Sequence, residues 1–167
     1  MKLTQNNPYK VALVGLDLTE MDDHLIRYTA MISKILPLER IFFVHVASNL
    51  QLPQELLEEY PNLLDPIDES IEADIKRKVD RFFDNSEIDI NCLVKEGHPI
   101  EKILKLSKIK NADLILMGRK KNLKGSSIIS SKIARKCPCS LLLVTSDCTS
   151  SINKILVPVD FSNHAAL

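Results

Sequence analysis

The sequence predicts an α/β domain built on a parallel sheet. Short, continuously apolar runs alternate with longer stretches in which apolar residues recur at helical spacing. Strands that are buried on both faces have the first pattern, and the helices that connect parallel strands have the second. Capping residues and prolines stand between the two patterns, where helices are expected to begin or end. Together these features indicate βαβ units with helices on both faces of the sheet.

The first unit extends to Pro37. Lys10 to Leu16 is an apolar run that predicts the first strand, and it ends at Asp17. Thr19 is placed to cap a helix whose first turn is acidic, which suits the positive end of the helix dipole. Apolar residues then repeat at helical spacing as far as Ile35, and Pro37 ends the helix.

The second strand is predicted over Arg40 to Ala47. The segment that follows, up to Leu64, is polar and contains prolines, as a surface excursion would. Asp65 caps the next helix and Pro66 begins it. The apolar residues of this helix share one side, which predicts packing on the sheet. They are Ile67, Ile71, Ile75, Val79 and Phe82.

The alternation continues to a fifth strand. Gly97 and Pro99 predict a tight turn into a helix that ends by Asn111. The apolar positions of that helix are Ile100, Ile103, Leu104 and Ile109. The other predicted elements are a third strand at Ile88 to Val94, a fourth strand at Asp113 to Met117, a basic loop at Gly118 to Ser127, a helix at Ile128 to Lys136 and a fifth strand at Ser140 to Thr145.

Composition and charge exclude several classes of function. The 22 basic and 22 acidic residues leave no net field to hold a polyanion, so we predict no nucleic-acid partner. No apolar segment approaches the roughly 18 residues that span a bilayer, and residues 1–10 lack the apolar core of a signal peptide. Four cysteines in 167 residues do not make a disulfide framework. We therefore expect a cytoplasmic protein with reduced thiols and no membrane association.

No metal site and no catalytic residue is predicted. The four histidines are scattered and lack the i, i+4 spacing of a helical metal pair. Cys137 and Cys139 are separated by a single proline, unlike the CxxC spacing of redox motifs. With only four glycines, the chain contains no Walker, GxGxxG or GxSxG motif.

The end of the chain repeats its beginning. Ala12 to Thr19 and Ile155 to Ser162 share an apolar strand, an Asp, an apolar residue and a hydroxyl residue. We expect a first domain over residues 1–146, a linker over 147–153 and the truncated first strand of a second copy over 154–167. One strand cannot form a sheet of its own. It belongs either to a tandem protein or to an arrangement in which it docks on the first domain.

Four segments of the chain follow one another in a characteristic order. They are Val14 to Asp17, with a closer match at Val157 to Ser162; Val44 to Val46; Glu96 to Ile100 together with Ala112 to Gly118; and Ala134 to Val144. In this order they resemble the universal stress protein family (UspA-like) from about Lys10 to Val144. The resemblance implies a Rossmann-like fold of the adenine nucleotide alpha hydrolase type, with five parallel strands in the order 3-2-1-4-5. Ligands of such sheets bind at the switch point, here between the first and fourth strands.

The resemblance also implies a site for ATP with magnesium. In nucleotide-binding members, the aspartate after the first strand and the end of the second strand hold the adenosine, and glycines after the fourth strand hold the phosphates. Lys121 stands where the family has its second glycine, and the third glycine is out of register. The loop is therefore either a phosphate site or a solvated surface loop, and Asp17 either binds a ligand or only ends a strand. The candidate residues are Asp17, Val46, Met117, Gly118, Lys121, Gly125, Ser126 and Ser127.

The function implied by the resemblance is that of a non-enzymatic stress-response regulator that dimerises and binds adenine nucleotide. In the family the last strand often pairs with another domain, so Ser140 to Thr145 is expected to pair in a homodimer or with a second domain of the same chain. One alternative is a nucleotide-independent protein-interaction module. Another is an adenine-nucleotide hydrolase, for which the sequence offers no evident general base or nucleophile beyond Asp17.

Overall fold

Five strands and four helices make up the part of the chain that the structure describes. The computed structural model describes residues 9–47, 65–84, 87–119, 126–148 and 151–158, without the side chains of 65–68 and 126–128. None of the helices in these ranges has the length and the apolar composition needed to cross a bilayer. The strands are β1 (Val11–Leu16), β2 (Arg40–Ala47), β3 (Asp89–Glu96), β4 (Leu114–Arg119) and β5 (Ser140–Thr145). The helices are α1 (Met21–Ile32), α2 (Asp65–Phe83), α3 (Pro99–Ile109) and α4 (Ser126–Lys136).

The strands form one parallel sheet in the order β3-β2-β1-β4-β5, which confirms the predicted fold class. The chain moves outward from β1 through β2 to β3, then crosses back to β4 and β5 on the other side of β1. In the middle of the sheet, Gly15 on β1 pairs with Val44 on β2 and with Met117 on β4. The winding direction therefore reverses between β1 and β4, where parallel sheets bind their ligands.

The sheet is covered on both faces because successive side chains of a strand point to opposite sides. Ala12, Val14 and Leu16 belong to the core that α1 and α2 cover. Leu13 belongs to the second core, under α3 and α4. Both faces of β1 are thus buried, which explains why its sequence is apolar throughout.

Two predicted apolar positions lie in solvent. Helix α1 ends at Ile32 instead of continuing toward Pro37, and the side chain of Ile35 is exposed. Ile109, at the end of α3, is exposed as well. Helical spacing shows which residues share a side of a helix, but the length of the sheet decides which of them it covers.

Several predicted boundaries move because strand pairing sets them. Strand β4 continues through Gly118 and Arg119, which pair with Val144 and Thr145 of β5. Gly118 was predicted to open the loop, and its pairing with Val144 places it in the strand instead. Strand β3 likewise extends beyond Val94 to residue 96. At the other end of the loop, α4 begins two residues earlier than predicted.

The predicted tight turn before α3 is confirmed. Gly97 has a φ of +125°, in the region that residues with a side chain rarely adopt. A Cβ at this position would lie 2.8 Å from Cε of Lys102. His98 then takes the N-cap position with extended backbone, and Pro99 begins the helix. Glycine is therefore required here by the backbone conformation, since the lysine side chain could move away from a Cβ.

Residues 151–158 lie outside the sheet. They form no strand and are exposed, and Leu156 exposes 92% of its surface. The strand expected from Lys154 is therefore absent over 154–158, and the remainder of the repeated segment, 159–167, falls outside the described residues. The second copy of the domain stays a prediction.

Candidate functional site

A cavity of about 260 Å³ opens at the C-terminal ends of β1 and β4. Residues from the three central strands line it, together with residues of α1, α3 and α4. Most of its walls are apolar, among them Val44, Ile103 and Met117. The polar side chains are those of Asp17 and Asp22, near the end of β1, and of His45 on β2. An apolar cleft with a few polar groups at the switch point of an α/β sheet is the usual form of a small-molecule site.

The turn between β1 and α1 is fixed by the carboxylate of Asp22. The backbone N–H of Asp17 donates to Oδ1 of Asp22, and the backbone N–H of Leu18 donates to Oδ2, each at 3.0 Å. Leu18 has a φ of 59°, a left-handed conformation that is uncommon for a residue other than glycine. Asp22 thus accepts hydrogen bonds from two backbone N–H groups in a turn where Leu18 has an unfavourable conformation.

Asp22 is buried, with 2% of its surface exposed. The pKa of the carboxyl is raised from 3.8 to about 6, chiefly because burial penalises the charged form and also because the charge of Asp17 lies nearby. The two backbone N–H groups and Lys78 act in the opposite direction and lower the pKa. Since the pKa is raised overall, the loss of hydration outweighs these compensating contacts.

Asp17 lies on the rim of the cavity and is oriented by Thr19. Its Oδ1 accepts the hydroxyl of Thr19 at 2.5 Å and the backbone N–H of the same residue at 3.2 Å. The Thr19 hydroxyl also accepts the N–H of Met21 at 3.3 Å. The predicted capping contact of Thr19 is thus present, although the helix begins one residue later than predicted, with Glu20 at the N-cap and without a side-chain capping bond. Thr19 therefore connects the carboxylate of Asp17 to the first turn of α1.

The opposite wall is the end of β2. His45 pairs with Leu16 in the sheet, and its Nδ1 lies 3.1 Å from the carbonyl oxygen of Leu16. A carbonyl can only accept, so Nδ1 must carry the hydrogen and donate it. Val46, the next residue on β2, adds an apolar side chain to the cavity. This wall therefore offers an apolar surface next to an imidazole ring of fixed orientation.

The β4 side of the cavity is closed by a contact between Gly118 and Met21. A Cβ built on Gly118 would lie 2.6 Å from Cγ of Met21, so the methionine occupies the space that a side chain would need. Met21 exposes 6% of its surface and belongs to the core under α1. The backbone of Gly118 is thus covered from this side by carbon atoms.

Met21 also borders a second cavity, of about 320 Å³, between the start of α1 and the end of β5. The other residues that line this cavity are Thr19, Glu20, His24 and Ser146. The side chain of Met21 therefore lies between two recesses. Both are lined mainly by apolar surface, and Glu20 is the acidic residue that borders the second.

Four of the eight predicted site residues meet in the first cavity. They are Asp17, Val46, Met117 and Gly118, from three different strands or strand ends. Ser126 and Ser127 are the first two residues of α4, and their side chains lie outside the described residues. Lys121 and Gly125 also lie outside the described residues.

Sequence reasoning missed the roles of Met21 and Asp22. Met21 fits the apolar spacing of α1, and Asp22 fits the acidic first turn of a helix, so both have an ordinary local explanation. Nothing in the spacing shows that Met21 contacts a glycine 97 positions later, or that Asp22 turns back on the strand before it. One signal existed for Asp22, since a carboxylate in the first turn of a helix can reach back to the turn that precedes it.

The arrangement is suited to binding more than to catalysis. A ring system can lie against the apolar walls while Asp17 accepts hydrogen bonds at the rim. Both carboxylates already accept hydrogen bonds from their own turn. Within the described ranges, no group of three or more His, Cys, Asp or Glu residues is arranged to hold a metal ion.

Comparison with solved structures shows the same fold in universal stress proteins. UspA from Lactobacillus plantarum superposes with a TM-score of 0.67 at 15% identity, over 81% of this chain and 97% of that one. A family member from Burkholderia pseudomallei gives a TM-score of 0.54 at 16% identity, over 82% and 96%. A universal stress protein in complex with cAMP gives 0.60 at 15% identity, over 83% and 98%. None of the curated protein sequences matches this one significantly.

The sequence itself carries the family assignment. The model of the universal stress protein family matches residues 8–145, which is most of the chain. The match spans β1 to β5 and includes every described element of the sheet. The chain therefore belongs to the universal stress protein family.

Proposed function

We propose that this chain is a non-enzymatic, cytoplasmic stress-response domain that binds an adenine nucleotide by its adenosine moiety. The observation that carries the proposal is the cavity at the switch point of the sheet. Asp17, Val46 and Met117 lie far apart in the sequence and line this one cavity. The universal stress protein solved in complex with cAMP supports the choice of an adenine ligand, because it shares this fold.

The adenosine half of such a ligand fits the described residues. The apolar walls provide contact for a purine ring, and ring systems gain most from the burial of apolar surface. Asp17 presents a carboxylate at the rim, held in place by Thr19, and a carboxylate accepts hydrogen bonds from vicinal hydroxyls such as those of ribose. Purine and ribose would thus lie between the ends of β1 and β2.

The phosphates of such a ligand would bind at the loop after β4. The N-terminus of α4, at Ser126, favours an anion because its first N–H groups lack helical partners. Lys121 and Gly125 would complete this site, and both lie outside the described residues. Magnesium would enter with the phosphates of ATP, since the described residues provide no separate group of metal ligands.

Calorimetric titration of the full chain tests the proposal. We expect heat of binding with adenosine, with cAMP or with ATP and magnesium. Asp17→Ala should weaken binding by at least about tenfold, the effect of losing a hydrogen bond to a charged group. Asp89→Ala is the matched control, because Asp89 lies at the start of β3, at the opposite end of the sheet. Absence of heat with every ligand at millimolar concentration would refute the proposal.

The same titration addresses hydrolysis. We expect no ADP to accumulate from ATP, because the carboxylates of Asp17 and Asp22 both accept hydrogen bonds within their own turn. Accumulation of ADP that Asp17→Ala abolishes would replace the binding role with an adenine-nucleotide hydrolase.

Pairing through β5 is the second part of the proposal, and it does not depend on nucleotide. Strand β5 is at the edge of the sheet and carries three consecutive leucines, at 141–143. An apolar edge strand favours pairing with another strand, either in a homodimer or with a second domain of the same protein. We expect light scattering to give the mass of a dimer, and Leu143→Lys to shift it toward the monomer. A monomer at all concentrations would refute homodimerisation.

A further inference from the structure

Met21 lies between the cavity at the switch point and the second cavity beside β5, and it lines both. We propose that Met21 determines the ligand class of the site, so that a nucleoside binds in preference to a nucleoside triphosphate. The inference rests on the proposed function, because it takes binding of the adenosine moiety as its starting point. It adds which part of the nucleotide the site recognises and which residue excludes the remainder.

The first argument is the contact with Gly118. Glycines in phosphate sites leave the backbone open, so that its N–H groups can approach the phosphate oxygens. On the side of α1 the space beside Gly118 is filled, since Cγ, Cε and Cβ of Met21 lie 2.6, 3.6 and 3.8 Å from the position of a Cβ. The thioether side chain donates no hydrogen bond to a phosphate oxygen. From this side a phosphate would meet carbon where glycine would otherwise allow it to approach.

The second argument is that Met21 is held in place. A methionine side chain is flexible in isolation. Here it exposes 6% of its surface and packs in the core with Leu16 and Leu25. Its backbone N–H donates to Thr19, and the adjacent Asp22 is bonded to the preceding turn. Moving Met21 away from Gly118 would therefore disturb both the core and the first turn of α1.

The third argument is the size and charge of the space on either side of Met21. The switch-point cavity, at about 260 Å³, lies below the roughly 300–1,000 Å³ of pockets that enclose drug-sized ligands. Glu20 lines the second cavity, beyond Met21, and Asp17 lies on the rim of the first. Carboxylates repel the charges of a triphosphate and leave an uncharged nucleoside unaffected. On the side of Gly118 that Met21 covers, size and charge therefore favour the same ligand class.

Competitive calorimetry with adenosine and with ATP and magnesium tests the inference. For the wild type we expect adenosine to bind at least about tenfold more tightly than ATP, a difference of about 1.4 kcal/mol. Met21→Ala should join the two cavities and uncover Gly118. We expect it to raise the affinity for ATP relative to that for adenosine by about tenfold or more; the ratio is the readout because Met21 lines the adenosine cavity as well. Met31→Ala is the matched control, because Met31 lies on the same helix and lines neither cavity.

Each outcome has a distinct meaning. If neither ligand binds the wild type, the proposed function itself fails. If ATP binds the wild type as tightly as adenosine, or if Met21→Ala leaves their ratio unchanged, only the role of Met21 is overturned. Lys121→Gly tests the competing obstacle in the loop, and an ATP gain in that variant but not in Met21→Ala also overturns the inference. Should Met21→Ala fail to fold, the wild-type ratio of the two affinities still decides.

Discussion

Both ends of β1 are fastened by a carboxylate that accepts two backbone N–H groups. At the start of the strand, Oδ2 of Asp113 accepts from Lys10 and from Val11, each at 2.9 Å. At its end, the two oxygens of Asp22 accept from Asp17 and from Leu18, each at 3.0 Å. The same chemical device thus appears at both ends of the central strand, in surroundings that differ.

The difference lies in burial and in what the turn must do. Asp113 is half-buried, beside exposed ion pairs that join Lys10 to Glu39 and Arg40 to Asp89. Asp22 is buried against the cavity and holds a turn with a left-handed residue. At the start of β1, water solvates part of the carboxylate of Asp113. At the end of β1, protein groups must take the place of the water that Asp22 has lost. The cavity at the switch point therefore lies at the end of β1 where the carboxylate is the more deeply buried.

The largest effect is expected from Asp22→Asn, measured as a function of pH. Because burial raises the pKa of Asp22 from 3.8 to about 6, the folded wild type binds a proton that the unfolded chain has released over this interval, and it loses stability as pH rises through it. The Asn variant does not titrate. Its unfolding free energy relative to wild type should therefore increase by up to about 3 kcal/mol between about pH 4 and about pH 7.

Urea denaturation at several pH values measures this difference, and the titrations of all other groups cancel in it. The difference should level off above about pH 7, where Asp22 is ionised in both states. A slope of opposite sign would mean that the two amide hydrogen bonds outweigh burial.

A smaller effect is expected at Asp113. Asp113→Ala removes the acceptor of two backbone hydrogen bonds and should lower the unfolding free energy by about 1–3 kcal/mol. Both bonds go to one oxygen, so Asp113→Asn retains an acceptor for them and should lose less than about 1 kcal/mol. Thermal unfolding measures both variants. Equal losses in the two would show that charge, not geometry, fastens this end of β1.

The smallest effect is expected from the ion pair at the same end of the sheet. Nε of Arg40 lies 2.6 Å from Oδ2 of Asp89, and each side chain is more than half exposed. Exposed pairs contribute about 0–1 kcal/mol, since solvent and salt screen them. Asp89→Asn should therefore change the unfolding free energy by less than about 1 kcal/mol in urea denaturation, and less again at high salt. A loss comparable to that of Asp113→Ala would contradict the contrast between the two contacts.

Elements with strong local patterns were predicted well. The limits predicted for β2 and β5 agree with those observed, because each is an apolar strand bounded by polar or proline-containing segments. The limits of β4 were not, because its last two residues are strand only through pairing with β5. In the candidate site, Asp17 and Gly118 came from the family resemblance, whereas Met21 and Asp22 required the three-dimensional contacts.

The sequence by itself determined the class of fold and the family. The periodicities of strands and helices follow from the directions of successive side chains, so they can be recognised in the order of the residues. Only the tertiary structure decided which local features meet. Whether Gly118 is covered depends on where α1 places Met21. Whether Asp22 is solvated or buried depends on how the preceding turn folds over it. Both features depend on contacts between segments, and the spacing of these segments in the sequence does not predict that they meet.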